Sequence, residues 1–227
     1  MNYKRYKNNT KKRNSGRKIV STINPELLVK RAVPIEETLF EAEQNFSEMP
    51  LSQSLKDNIK RKGYVEPTEI QQKSINDLIS GRNLIGVAAT GTGKTGAFLI
   101  PVIEKMLAND DTTCLVVVPT RELAMQVEDE FKSLTRGYRL FSACFIGGTS
   151  VNNDIAKARK KNHLIVGTPG RLNDLTSRGA LRLGNTPILV LDEFDRMLDM
   201  GFIIDIKKII ALMHNRKQTM LFSATYE

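Results

Sequence analysis

The chain has 227 residues, of which 41% are hydrophobic and 26% charged, and this is enough for one domain with a well-buried core. No apolar run is long enough to cross a bilayer, and the N-terminus lacks the apolar stretch of a secretory signal, so we expect a cytoplasmic protein with no membrane partner. The net charge of +9 is typical of proteins that bind nucleic acid, but its distribution qualifies that interpretation.

The positive charge lies mainly at the N-terminus. Residues 1–18 contain eight Lys or Arg side chains and no acidic one, whereas the rest of the chain contains 26 basic and 25 acidic side chains. A basic, polar segment with few apolar groups is expected to be disordered. Such a tail could neutralise phosphates without sequence preference, and a solubilising terminus explains it equally well. Residues 19–45 are predicted to be a linker or N-terminal extension, with a short helix near Ile35–Gln44.

Residues 46–227 show a regular alternation that predicts one α/β domain. Stretches with helical periodicity separate most of the short apolar runs, and strands that alternate with helices pair in parallel through right-handed crossovers. The fold class is therefore a doubly wound, mostly parallel sheet flanked by helices, with ligands bound beyond the carboxyl ends of the strands. The six predicted strands are Asn83–Ala88, Cys114–Val118, Phe141–Ile146, His163–Val166, Pro187–Leu191 and Gln218–Phe222.

A phosphate-binding loop follows the first predicted strand and precedes an apolar helix. Glycines let backbone N–H groups point at a triphosphate, a lysine can contact its β- and γ-oxygens, and a hydroxyl can bind Mg²⁺. The helix N-terminus adds a favourable dipole. A chance glycine-rich turn is the alternative, and the flanking strand and helix disfavour it. The loop residues are Ala88, Ala89, Thr90, Gly91, Thr92, Gly93, Lys94 and Thr95, with Ala88 where the general pattern has glycine.

Acidic residues follow the predicted strand Pro187–Leu191. Asp192 is expected to hold Mg²⁺, partly through water, together with Thr95, and Glu193 is expected to orient and deprotonate the attacking water. A solvated acidic turn at a helix start is the alternative, which Asp195 alone would fit. The pairing with a phosphate loop favours catalytic roles for Lys94, Asp192 and Glu193.

Together with these two motifs, the stretch from Gly63 to Gln71 and the preceding Phe46 make the chain resemble a known family. Over roughly Phe46 to Thr225 it is similar to the N-terminal RecA-like P-loop domain of DEAD-box ATP-dependent RNA helicases. The resemblance implies that Gln71 reads adenine and that Phe46 or Tyr64 packs near the base. The chemistry is suitable, because a carboxamide donates and accepts at once.

Three further motifs resemble those with which the family holds the sugar–phosphate backbone of single-stranded RNA. Hydroxyl, guanidinium and glycine N–H groups suit that task and tolerate any base sequence. Turn residues and helix caps would explain any one of them alone. They are Pro119, Thr120 and Arg121; Gly147 and Gly148; and Thr168, Pro169, Gly170 and Arg171.

The stretch Ser223 to Thr225 resembles the motif that links Asp195 to the second domain of these helicases. The sequence also departs from the family's pattern in two ways. Phe194 replaces the family's alanine between Glu193 and Asp195. Asp192, Glu193 and Asp195 are kept, so metal binding and hydrolysis are expected to survive, whereas the ring could disturb the packing that joins this motif to the stretch Ser223 to Thr225. The sequence also stops at Glu227, without the second RecA-like domain whose arginines complete the ATP site, so the polypeptide alone is expected to be monomeric and a poor ATPase.

The sequence thus predicts the first motor domain of an RNA helicase that uses ATP and Mg²⁺ and acts on single-stranded or short duplex RNA. A non-catalytic RNA- or ATP-binding regulatory module, natural at this length, is the alternative from another class. A DNA-directed motor is disfavoured by Gln71 and by the Pro119–Arg121 motif.

Overall fold

The computed structural model describes residues 40–225. The basic segment 1–18, and residues 19–39 of the predicted linker, lie outside the described residues. Residues 40–44 do not form the helix predicted near Ile35–Gln44. They run instead along a later helix, since the Glu43 N–H donates to the Gln72 side chain at 2.9 Å and the Gln44 side chain accepts from Asn76 at 3.4 Å.

Six parallel strands form one sheet in the order β1-β6-β5-β2-β4-β3. All six predicted strands are confirmed, each with ends within one residue of the prediction, and the doubly wound α/β class is confirmed with them. β1, β6 and β5 are neighbours on one side of the sheet, and β2, β4 and β3 on the other. The strands are β1 Leu84–Val87, β2 Cys114–Val117, β3 Ser142–Phe145, β4 Leu164–Gly167, β5 Ile188–Leu191 and β6 Gln218–Ser223.

Eight helices connect or flank these strands within residues 40–225. Local signals explain several of their ends: Gly63 ends α1 in the left-handed region, the Thr120 hydroxyl accepts from the Leu123 N–H at the start of α4, and Pro169 opens α6. In this part of the chain no helix has the length and apolar character needed to cross a bilayer. The helices are α1 Gln53–Lys62, α2 Glu69–Ile79, α3 Lys94–Ala108, α4 Arg121–Leu134, α5 Val151–Ala158, α6 Pro169–Ser177, α7 Phe194–Asp199 and α8 Ile203–Leu212.

The sheet separates two apolar cores. Along the fully buried strand β2, Cys114 and Val116 face the core that α1 to α4 complete, whereas Leu115 and Val117 face the core that α6 to α8 complete. Side chains of successive strand residues point to opposite faces, so a sheet covered on both faces needs strands that are apolar throughout. This explains why the central strands are continuous apolar runs.

The strand order sorts the predicted motifs along one edge of the sheet. Because all strands are parallel, their carboxyl ends meet at the same edge. The phosphate loop follows β1, Ser223 ends β6, and Asp192 follows β5, and these three strands are neighbours. The motifs assigned to RNA follow β2, β4 and β3. The two groups therefore occupy the two halves of one edge.

Candidate functional site

The phosphate loop turns tightly between β1 and α3. Gly91 and Gly93 have φ of 85° and 92°, in the left-handed region that favours glycine. The buried Lys94 side chain donates to the carbonyl oxygens of Ala88 at 2.6 Å and Ala89 at 3.3 Å. The free N–H groups of the first turn of α3 and the Lys94 ammonium together provide donors and positive charge for an anion.

Gln71 supports this loop from α2. Its side-chain oxygen accepts from the Thr68 N–H at 3.0 Å, and its nitrogen donates to the Gly93 carbonyl at 3.0 Å. A Cβ atom at Gly93 or Gly96 would lie 2.6 or 2.7 Å from that nitrogen, so a larger residue at either position would displace the Gln71 carboxamide. The carboxamide retains one lone pair and one N–H for a base, although the residue is only 3% exposed.

The two aromatic residues assigned to the base occupy different environments. Phe46 is buried in the core beside Tyr64, with ring centroids 6.2 Å apart. The Tyr64 ring reaches the first turn of α3, and its hydroxyl donates to Glu130 at 2.5 Å. Burial and the bond to Glu130 raise the pKa of Tyr64 above its ordinary value. Of the two rings, Tyr64 is therefore the one that reaches α3, whereas Phe46 is buried in the core.

Asp192 is a buried carboxylate beside the phosphate loop. It is 2% exposed and accepts the Glu193 N–H at 3.0 Å. Burial raises the pKa of Asp192 to about 6, although the positive charge of Lys94 and the Glu193 N–H act in the opposite direction. A poorly solvated carboxylate near a lysine is a favourable ligand for a divalent cation, whose charge would replace the missing solvation.

Glu193 stands at a strained turn between β5 and α7. Its φ of 52° and ψ of 50° lie in the left-handed region, which no other non-glycine residue among positions 40–225 occupies. Such a conformation costs on the order of 1–3 kcal/mol and is commonly kept at functional sites. The Glu193 carboxylate lies 3.2 Å from the Arg196 guanidinium. Glu193 thus stands at this turn one residue beyond the buried Asp192.

Asp195 joins the start of α7 to the end of β6. One of its oxygens accepts from the N–H groups of Ala224 and Thr225 and from the Thr225 hydroxyl, each at 3.0 Å. Burial opposes ionisation, but hydrogen bonds from the Arg196 N–H, Thr225 and Ser223 outweigh it and lower the pKa of Asp195 to about 2. The half-buried Phe194 ring packs on the α6–α8 core, and the bonds of Asp195 to Ala224 and Thr225 are present beside it.

At the other half of the edge, Arg121 lies against the glycine pair. Gly148 has φ of 82°, and a Cβ atom there would lie 2.7 Å from an Arg121 nitrogen. Arg121 is exposed and forms no ion pair with any residue from 40 to 225. Gly147 and Gly170 have open space where a side chain would stand. Arginine donors and open glycine backbone are the groups that a phosphate chain needs.

Arg171 is engaged within the protein. Its guanidinium contacts the carboxylate of Asp154 on α5 and the Thr149 carbonyl, the latter at 3.1 Å. Asp154 is 1% exposed and also accepts from the Thr149 hydroxyl at 2.8 Å. Arg171 therefore fixes the turn after Gly148, and Asp154 is a site residue that the motifs do not include.

Comparison with known proteins decides the family. Residues 68–227 match the family model described as DEAD/DEAH box helicase. The chain belongs to that family. It is 45% identical over 181 residues to the DEAD-box ATP-dependent RNA helicase CshA of Geobacillus kaustophilus, and 43% identical over 182 residues to a probable ATP-dependent RNA helicase of Methanocaldococcus jannaschii. These alignments cover 79% and 80% of the chain but 39% and 49% of the two helicases.

Solved helicase structures share the fold. A hypothetical ATP-dependent RNA helicase from Sulfolobus tokodaii superposes with a TM-score of 0.72 at 39% identity, over 77% of this chain and 51% of that one. A DEAD box protein from Methanococcus jannaschii superposes with a TM-score of 0.76 at 42% identity, over 81% of this chain and 50% of that one. The chain thus spans about half of these structures and less than half of the curated relatives.

Within the helicase fold, the sequence motifs and the structure differ in detail. The loop from Ala88 to Thr95 follows β1, and Asp192 and Glu193 follow β5, so both lie at the same edge of the sheet with β6 between the two strands. Thr168 and Gly170 begin α6 at the surface, whereas Pro119 and Pro169 are buried and contribute packing. The support of the loop by Gln71 and the Asp154–Arg171 pair were missed. An acidic residue near the start of α5 was the one available signal for the latter.

Proposed function

We propose that this chain is the first motor domain of an ATP-dependent RNA helicase. The observation that carries the proposal is the division of one sheet edge into two adjacent halves. One half combines the phosphate loop with Lys94 and Asp192, and the other presents Arg121 beside exposed glycine backbone. The helicase names of the relatives agree with such a pairing of nucleotide and RNA sites.

ATP is the proposed substrate of the first half. Gln71 uses its remaining donor and acceptor on the adenine edge, while Tyr64 lies alongside the base. The backbone N–H groups from Gly91 to Thr95 hold the phosphates, and the Lys94 ammonium turns from its loop carbonyls to the β- and γ-oxygens. This series of contacts selects adenine and fixes the triphosphate relative to α3.

The hydrolytic step is assigned to the acidic turn. Bound Mg²⁺ would neutralise developing charge on the phosphate oxygens, with Asp192 and Thr95 as its protein ligands. Glu193 orients the attacking water and accepts its proton, for which it must leave Arg196. Asp195 bonds the end of β6 to this turn. A displacement of Thr225 would therefore move Asp195, which is two residues from Glu193.

Single-stranded or short duplex RNA is the proposed partner of the second half. Thr120, Arg121 and Thr168 supply hydroxyl and guanidinium donors, and the turns at Gly147, Gly148 and Gly170 let phosphates approach the backbone. These contacts carry little base information, so binding is expected to tolerate any sequence. We assign Arg171 a supporting role at this surface.

A second RecA-like domain is the proposed partner that completes the ATP site. Arginines from a second domain are worth on the order of 10³–10⁵ in rate in related phosphoryl-transfer enzymes, so the chain alone should turn over ATP slowly, as a cytoplasmic monomer. Closure of two such domains around ATP and bent RNA would part a short duplex, and hydrolysis would reset the cycle.

The test begins with nucleotide binding by calorimetry. Lys94→Ala should abolish measurable ADP affinity with the fold intact, whereas Lys207→Ala, an exposed control on α8, should leave it unchanged. Unaltered ADP affinity of Lys94→Ala would show that the phosphate loop is misassigned.

The motor hypothesis needs a second experiment. ATP turnover of the protein as expressed from its gene should rise with single-stranded RNA and vanish in Glu193→Gln. Arg121→Ala should weaken RNA binding and reduce the salt slope by about one while ADP affinity is kept. Absence of RNA-stimulated turnover, with Glu193→Gln behaving like the parent, would favour a non-catalytic binding module.

A further inference from the structure

The strand β3 is the outermost strand of the sheet within residues 40–225. Its neighbour β4 is bonded through the carbonyl oxygens of Phe141 and Phe145, which accept from Leu164 and Thr168 at 3.1 Å each. Alternate residues of a strand direct their N–H and C=O groups to opposite sides. Ser142 and Cys144, between those two, therefore direct theirs away from β4.

A groove runs along this free edge. It has a volume of about 530 Å³, with residues 141–144 as its floor, α4 on one side and the end of α5 with the following turn on the other. The Phe141 ring is 52% exposed in it. His163 fixes Phe141, because the Phe141 N–H donates to His163 Nδ1 at 3.0 Å and His163 Nε2 bonds Asp110 at 2.9 Å. The groove thus has a rigid floor and an apolar contact.

The rim of the groove is positive. Among residues 40–225, four lysines line it, and Glu128 is the only carboxylate that does so. Glu128 is already paired with Lys132 at 2.8 Å and accepts from the Ser142 hydroxyl at 3.0 Å. Lys157 and Lys160 are exposed and have no ion pair with residues 40–225. An occupant with negative charge would complement them.

We propose that this groove binds an extended acidic segment of a partner protein as an added strand beside β3. The segment's backbone bonds the outward groups of Ser142 and Cys144, its acidic side chains lie near Lys157 and Lys160, and an apolar side chain covers Phe141. The alternation of N–H donors with C=O acceptors along this edge favours a peptide, because an extended peptide backbone supplies both groups at the matching spacing. None of the residues that line the groove is among those assigned to the nucleotide or to RNA.

The test uses the complete chain and a fluorescein-labelled short peptide of alternating glutamate and valine, followed by fluorescence anisotropy. The double variant K157E/K160E should weaken binding at least about tenfold, since two attractive charges become repulsive. The variant K207E/K208E carries the same change of net charge on α8 and should bind like the parent. A peptide N-methylated at alternate residues, which cannot donate to the edge, should fail to bind.

Hydrogen exchange measured by NMR gives a second readout that a purely electrostatic contact would not change. Peptide should slow exchange of the Ser142 and Cys144 amides, whereas the Ala143 amide, already directed towards β4, should change little. The proposal is overturned if the peptide does not bind, if both double variants lose affinity equally, or if the two amides keep their exchange rates. It is also overturned if short oligouridylate displaces the peptide and is itself weakened by K157E/K160E.

Discussion

Replacing Asp192 with asparagine removes a buried negative charge that is poorly solvated in the ligand-free protein. The carboxyl is 2% exposed, and its pKa rises from 3.8 to about 6 on folding, chiefly through burial. The folded state therefore binds this proton more tightly than the unfolded chain does. Ionisation of Asp192 accordingly lowers the free energy of unfolding as pH rises from about 4 to about 6.

The size of this effect on the free energy of unfolding follows from the shift in the pKa of Asp192. A difference of about two pKa units corresponds to about 3 kcal/mol, all of it present above pH 6. An asparagine side chain at this position would keep the acceptor for the Glu193 N–H and carry no charge. Asp192→Asn should therefore stabilise the ligand-free chain by about 3 kcal/mol near pH 7 and by only about 1 kcal/mol near pH 4.5. The same variant should lose magnesium-dependent ATP binding.

Urea unfolding followed by circular dichroism, in EDTA and without nucleotide, measures both values. Asp199→Asn is a matched control, because Asp199 is an exposed carboxylate at the end of α7, and it should change the unfolding free energy by less than about 0.5 kcal/mol. If Asp192→Asn did not raise the free energy of unfolding, or raised it equally at both pH values, the reasoning would be refuted, because the effect would then not arise from the charge of Asp192.

Three other predictions follow from contacts around the site. Gln71→Ala should weaken the binding of pyrophosphate as well as that of ADP in calorimetry, because the bond to Gly93 supports the loop. If only ADP binding were weakened, the role of Gln71 would be restricted to contact with the base. Glu193→Gly should raise the free energy of unfolding, measured by thermal unfolding, by about 1 kcal/mol, because glycine adopts the left-handed conformation without strain, and it should abolish turnover. Lower stability would mean that the contact between Glu193 and Arg196 outweighs the strain. Asp195, with its pKa lowered to about 2, contributes stability that is present above about pH 4 and is lost as pH falls towards 2. Asp195→Asn should remove that acid dependence in unfolding scans, and an unchanged acid transition would contradict the role of the Thr225 bonds.

The fold was predictable because each strand of a doubly covered sheet is a continuous apolar run, as at Ile188–Leu191. The site followed from it, since motifs that come after such runs gather at one edge. The hydrogen bonds that individual side chains form within the protein were not predictable in the same way. The Gln71 bond to Gly93 joins residues 22 apart, and the Arg171 bond to Asp154 joins residues 17 apart. Both depend on side-chain directions that no periodicity encodes.

Phe46 illustrates the same limit from the other direction. An aromatic residue ahead of the Gln71 motif fits a role at the base, but it also fits the apolar space beneath α1. Burial of a full ring stabilises the fold by roughly 1.5–3 kcal/mol, and the structure places Phe46 there, with Tyr64 between it and α3. The packing shows that Phe46 is a core residue, and its contact with a base stays a prediction.

The close approach of Gln71 to Gly93 and Gly96 also constrains how this protein can diverge or be engineered. A library that varies position 71 to accept another base would at the same time remove a support of the phosphate loop. A longer side chain there would collide with the start of α3, because the Gln71 nitrogen already lies where a Cβ atom at either glycine would come within 2.7 Å of it. If Gln71 contacts the base as proposed, base preference and phosphate affinity are coupled in this domain, and a change in the first requires a compensating change around positions 93 and 96.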